Sequence, residues 1–187
     1  HIKLDLTVDV AGKHVEGSAH IEFQALRRCE TITFDAVDME TESVVLLKDA
    51  RPQPIRYTND GEHIEIHLDA PLTAGDQAEI VIEYSVDNPD RGLHFFGPSA
   101  NEPDVPQVVW SQGETNYNRS WFPCLDHPND KQTSEMIVTT KAGFSVSSNG
   151  RLVSKNENRS AGTVTYHYTQ EQPHSVYLMS LIVGDFF

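Results

Sequence analysis

Cysteine is scarce in this chain: 187 residues carry only Cys29 and Cys124, far apart and in no C-x-x-C spacing. A disulfide scaffold is therefore excluded, and so is a redox or zinc site built on paired cysteines. One bridge is compatible with the count, but two free thiols are the expectation, since free cysteine packs as a small apolar residue. Basic residues are also few, 14 against 28 acidic ones for a formal net charge of −14. No basic stretch is dense enough to neutralise a row of phosphates, which excludes nucleic acid as a partner. Long apolar runs are missing too. Val176 to Val183 is too short to cross a bilayer, and no charged-then-apolar leader opens the chain, so a soluble domain without signal or membrane segment is expected, in no particular compartment. Nowhere does an apolar i, i+3, i+4, i+7 pattern persist for a dozen residues, which disfavours a helical bundle or an alternating α/β sheet.

What is present is alternation. Ile2, Leu4, Leu6, Val8 and Val10 alternate with Lys3, Asp5, Thr7 and Asp9, the period of a strand with one buried face. Gly12 is placed in a turn, and Val15, Gly17, Ala19, Ile21 and Phe23 repeat the pattern on a returning strand, so the chain opens on a hairpin. Further strands are expected at Ile32 and Phe34, Val44 to Leu47, Ile64 to Leu68, Ala78 to Tyr84, Val108 to Trp110, Met136 to Thr140, Val164 to Tyr168 and Val176 to Val183. Asn149-Gly150, between Phe144 to Ser147 and Leu152-Val153, is the strongest short-range hairpin signal. The stretch from Asp87 to Pro106 is rich in proline, asparagine and glycine and is expected to be a long loop or an internal division. The fold class is all-β: antiparallel multi-stranded sheets in a sandwich or saddle shape, with few or no helices. The length suffices for a self-sufficient core. A chain that opens at His1 and closes at Phe186-Phe187 is expected to be part of a longer polypeptide.

Residues 108 to 131 break the alternation with a polar and aromatic run. Gln112 and Glu114 are two residues apart, so a strand continuing from Val108 would turn both to one face. An amide beside a carboxylate suits an ammonium group, which has only donors and needs acceptors to replace lost water. The same spacing also fits the solvated end of a strand, and spacing alone favours that plainer reading. Arg119 and Asp126 fit either a surface pair or a brace. His63-Ile64-Glu65-Ile66-His67 superficially imitates a zinc signature, but on a strand its two histidines would lie roughly 13 Å apart, too far to share an ion. His127, beside Asp126, is read as a polar loop residue rather than a ligand.

The order Gln112-x-Glu114, Arg119, Phe122-Pro123-Cys124, Asp126, Pro128 and Lys131 resembles the segment that the aminopeptidase N family of zinc metallopeptidases carries near the end of its first domain. Gly92-Leu93, Ser148-Asn149-Gly150, Tyr177-Leu178 and Val183-Gly184-Asp185-Phe186 match more loosely, in the family's order. Departures occur at His127, where glutamate is usual, and at Asn118, where alanine is common. The resemblance implies that residues 1–187 form the amino-terminal, non-catalytic β domain of a zinc aminopeptidase, a hydrolase that releases amino-terminal residues from peptides. It implies zinc in a separate catalytic domain of the same polypeptide, held by an H-E-x-x-H helix and a downstream glutamate, with the first glutamate activating the bound water. No such motif occurs here, nor does the family's G-A-M-E-N loop. No catalytic residue, metal ligand or cofactor is thus expected within this chain, which alone should not hydrolyse peptides. Gln112 and Glu114 correspond to residues that line the pocket for a peptide's first residue, Glu114 helping to bind the free amino terminus. Arg119, Phe122, Pro123, Cys124, Asp126, Pro128 and Lys131 are assigned to the architecture of the segment. If the second domain covers an apolar face here, the chain alone is expected to self-associate. The alternatives are a non-catalytic relative serving as a protein-interaction scaffold and, on fold class alone, an adhesion-type or carbohydrate-binding sandwich.

Overall fold

A computed structural model of the chain describes residues 1–48 and 51–186. The strands among them are β1 (Ile2–Asp9), β2 (His14–Gln24), β3 (Cys29–Asp35), β4 (Glu40–Lys48), β5 (Arg51–Pro54), β6 (Arg56–Asn59), β7 (His63–Leu72), β8 (Gln77–Asp87), β9 (Gly92–Phe96), β10 (Val108–Gln112), β11 (Lys131–Lys141), β12 (Ser145–Ser148), β13 (Arg151–Asn158), β14 (Thr163–Ser175) and β15 (Leu181–Gly184). Two single turns of 3-10 helix, Asn118–Ser120 and Val176–Leu178, interrupt them. The fold is all-β. Its largest sheet has the order β13-β14-β11-β1-β2-β8-β4-β5, a second has β12-β15-β10-β9, and a third has β3-β7-β6. Apolar faces of all three meet in one core, which includes Leu4, Ile64, Ile82, Val109 and Val183 at 0 % exposure.

Local chemistry explains the elements. On β1 the side chains of Ile2, Leu4, Leu6 and Val8 are buried while Asp5, Thr7 and Asp9 are exposed, so register is fixed by which face meets water. β1 and β2 pair antiparallel from Ile2↔Ile21 to Asp9↔His14. The connecting turn uses the Asp9 carboxylate, which accepts from Gly12 N at 2.9 Å, and Lys13 takes the left-handed conformation (φ 56°). Glycine is required at 17, where a Cβ would collide with the Asp5 carbonyl.

The structure departs from the sequence expectations at several points. The sheets are not wholly antiparallel, because β1 runs parallel to β11 from Ile2↔Ser134 to Thr7↔Thr139. A parallel neighbour needs a crossover, and the whole stretch between β2 and β11 supplies it. Asn149-Gly150 does turn the chain, with Gly150 at φ 81°, but it closes no hairpin. β12 before it pairs with β15 and β13 after it pairs with β14. Asn149 explains this: its amide donates to Leu178 O at 2.9 Å and accepts from Ser180 N at 2.6 Å, so the turn is pinned to residues 178–180 as the chain changes sheets. The strand expected over Val176 to Val183 is confined to Leu181–Gly184. The stretch expected as a loop or division contains β9, paired along its length with β10. β5 has no apolar alternation and is an edge strand, the position in which Pro52 and Pro54 are tolerated. Both cysteines are free, Cys124 buried and Cys29 half-buried.

Candidate functional site

β10 ends at Gln112, so the strand does not carry Glu114 onto the same face by continuation. Both side chains are nevertheless exposed, and neither makes a hydrogen bond or ion pair among the described residues. Gln112 stands opposite Gly92 on β9, which has no side chain to cover it. Gly113 between them is buried, and a Cβ there would meet the Tyr177 carbonyl and lie 2.6 Å from Asn118 Oδ1. Its carbonyl accepts from Tyr117 N at 2.9 Å. The backbone linking the two acceptors is therefore pressed onto the core while their polar ends are left uncommitted. The Glu114–Thr115 peptide bond is cis.

On the same face of β10 as Gln112 is Trp110, 38 % exposed. It stacks against Phe96 of β9 (ring centroids 6.5 Å, interplanar 3°) and touches His94 at 4.7 Å. Ile182, its partner across β15, is also exposed. The outer face of the four-stranded sheet is thus an open aromatic and aliphatic patch leading to Gln112.

The residues after this pair behave in the opposite way. Asn118 is fully buried; its amide donates to Val176 O (2.6 Å) and Met179 O (3.2 Å) and accepts from Trp121 Nε1 (2.8 Å). Its burial also removes Asn118-Arg119-Ser120 as a glycosylation acceptor in the folded chain. Trp121 packs edge-on to Phe122 at 4.5 Å, both at 0 % exposure. Arg119 reaches Asp35 Oδ1 at 2.9 Å and Asp126 Oδ2 at 3.3 Å, and donates to Asp126 O at 3.2 Å. Asp35 in turn accepts from Asp126 N at 2.9 Å, and its backbone forms a bridge with Cys124. Burial pushes the Asp126 carboxyl above its ordinary range, against the bonds from Arg119 that favour its charged form. Burial also pushes the Cys124 thiol well up, with the carboxylates of Asp126 and Asp35 adding to it, so this sulfur is not a nucleophile. Pro123 is buried, Pro128 O accepts from Ser175 Oγ at 2.8 Å, and Lys131 opens β11. His127 is exposed and its Nδ1 accepts from Asn129 N at 3.3 Å.

Residue types alone did not single out Asp35, Gly113 or the role of Asn118. The one signal was Asn118 itself, a polar residue where the resembled segment commonly has alanine. Among the described residues no group of three or more His, Cys, Asp or Glu is placed to hold a metal ion. His63 and His67 point instead to local carboxylates, His63 to Asp35 and Asp60 and His67 to Glu65. No described helix is long and apolar enough to cross a membrane.

Residues 1–178 match the family model of the Peptidase M1 N-terminal domain. The M1 zinc metallopeptidase of Deinococcus radiodurans superposes with a TM-score of 0.83 at 25 % identity, covering 98 % of this chain and 41 % of that one. A mutant of that enzyme solved with a Tyr-Ser-Ala substrate superposes with a TM-score of 0.82 at 25 % identity, with the same coverage of both chains. The leukotriene A-4 hydrolase homologue of Botryotinia fuckeliana is 23 % identical over 99 % of this chain and 30 % of its own length. Human aminopeptidase RNPEPL1 is 27 % identical over 69 % of the chain and 17 % of its length. Zebrafish transcription initiation factor TFIID subunit 2 is 33 % identical over 60 % of the chain and 10 % of its length. The chain thus spans between a tenth and a third of these curated relatives.

Proposed function

Because the chain belongs to the Peptidase M1 N-terminal domain family, we propose that it is the non-catalytic first domain of a zinc aminopeptidase and supplies Gln112 and Glu114 to the pocket for a peptide's free amino terminus. The observation that carries this reading is the pairing of two exposed, uncommitted acceptors with a backbone held tightly from beneath. A carboxylate aimed at a protonated amine in a closed cleft forms a charge-assisted hydrogen bond, which selects unblocked peptides and sets register at the first peptide bond. The patch of Phe96, Trp110 and Ile182 beside Gln112 is the surface against which the catalytic domain of the same polypeptide packs, enclosing the pair. Zinc and the residues that activate water belong to that domain. The neighbour solved with a bound tripeptide supports peptide as the ligand class. The scaffold alternative draws on the TFIID subunit 2 alignment, which spans 60 % of the chain, whereas the matches over 98 to 99 % are to a metallopeptidase and a hydrolase homologue.

The test is steady-state kinetics of the full-length polypeptide. Glu114→Ala is expected to lower kcat/KM for an unblocked peptide tenfold or more, on the order of 1.5 to 3 kcal/mol for a charged hydrogen bond. An unchanged kcat/KM removes Glu114 from the site, and a wild-type polypeptide with no peptidase activity at any zinc loading favours the scaffold.

A further inference from the structure

The turn that carries Glu114 is attached at its two ends. It runs over residues 113–117 and is closed by Tyr117 N donating to Gly113 O at 2.9 Å. Glu114, Thr115 and Asn116 are exposed, and none of them bonds outside the turn among the described residues. One end, Gly113, is pressed onto the core as described above. The other end, Tyr117, is seated on the start of β9: Gly92, opposite Gln112 in the ladder, takes φ 82°, and a Cβ there would meet the Tyr117 carbonyl and lie 2.9 Å from Trp121 Cδ1. The residue before it, Arg91, reaches over the half-buried Tyr117 ring, with its guanidinium carbon 5.1 Å from the ring centroid. Asp38 and Asp90 line the same recess, yet Arg91 forms an ion pair with neither among the described residues. In a chain with 28 acidic residues against 14 basic ones, this arginine is committed to an aromatic face rather than to a carboxylate.

We propose that Arg91 is a positioning residue for the amine pocket: stacked on Tyr117, it clamps the far end of the turn and so fixes where the Glu114 carboxylate points. The inference rests on the role proposed above for Glu114. A planar guanidinium laid on a ring keeps its charge while covering the ring from solvent, so it holds Tyr117 against Gly92. An acceptor on a turn tied down only at Gly113 would sample several directions, and a hydrogen bond to an ammonium group weakens with each loss of distance and angle. A direct electrostatic role for Arg91 predicts the opposite sign. A nearby cation repels the peptide's ammonium group, so removing it would tighten binding.

The test uses the full-length polypeptide and two competitive inhibitors of similar shape, L-leucinol and 4-methylpentane-1,2-diol, in which a hydroxyl replaces the amine. Arg91→Gln is expected to raise the inhibition constant of leucinol about twofold to fivefold, the range an exposed cation–π contact supports, and to leave that of the diol unchanged. Arg91→Lys, which keeps a cation over the ring, should recover most of the affinity. Tyr117→Leu should reproduce the loss, and adding Arg91→Gln to it should weaken leucinol no further. Glu114→Ala should abolish the preference for leucinol over the diol. If it does so while Arg91→Gln changes neither constant, tightens leucinol, or weakens both inhibitors alike, Arg91 is not a clamp and the pocket role of Glu114 stands. If Glu114→Ala leaves the preference intact, the pocket role itself fails and this inference with it.

Discussion

Gln112–Glu114 and Asn118–Asp126 are neighbours in one segment, yet their polar groups are used in opposite ways. Asn118, Arg119 and Asp126 direct their polar groups into the protein, and two of the three are buried. Gln112 and Glu114 direct theirs at nothing in the described chain. Desolvating a polar group without a partner is costly, so the first set reports what holds the segment together. The second set is left exposed to solvent. If the proposed function holds, a site residue and a structural residue in a motif are separable by where the hydrogen bonds go, which motif spacing alone does not reveal.

The comparison predicts that changes in the two sets dissociate stability from turnover. The largest loss of stability is expected from Arg119→Leu, which leaves Asp35 and Asp126 facing each other without a cation. Breaking a buried pair costs about 3 to 5 kcal/mol, and because Arg119 is a quarter exposed the lower end, about 3 kcal/mol, applies. Urea unfolding should show the midpoint fall. Asn118→Ala comes next: it strands Trp121 Nε1 and the carbonyls of Val176 and Met179, for about 2 kcal/mol. A midpoint unmoved in either variant would erase the distinction between the sets. Glu114→Ala, by contrast, should leave unfolding within about 0.5 kcal/mol of wild type while turnover falls as stated above.

The sheet regions were legible because their physics is one-dimensional. β1, β8 and β11 alternate strictly, and a one-residue slip would turn every core side chain to water. Which strands become neighbours was not legible, because the parallel β1–β11 pairing joins residues more than a hundred positions apart. Asn149-Gly150 shows the same limit: its local turn chemistry was read correctly, but the partner of each flanking strand is decided by long-range bonds from Asn149 to residues 178–180. Within the candidate site the residue types at 112 and 114 are plain in the sequence, which leaves Arg119 and Asp126 as either a surface pair or a brace. Asp35 could not be read, since it joins them from β3, 84 residues before Arg119.

The smallest effect is expected on the outer face of the first hairpin, which calibrates the comparison with an ordinary surface pair. His14 Nδ1 lies 2.6 Å from Asp87 Oδ1, and this hydrogen bond raises its pKa, with Glu16 adding to the shift and partial burial opposing it. A histidine whose folded pKa is raised stabilises the fold when protonated. That contribution is fully present below its unfolded value of about 6.5 and is lost as pH rises through the higher folded value. Wild type should therefore exceed His14→Gln in melting temperature at pH 5.5 and match it at pH 8.5. Since Asp87 is largely exposed, solvent screening holds the difference under about 1 kcal/mol. If instead the gap widened with pH, the pair would not act through the charged imidazole. If it rivalled the loss in Arg119→Leu, the buried Arg119 network could no longer be distinguished from surface charge pairing.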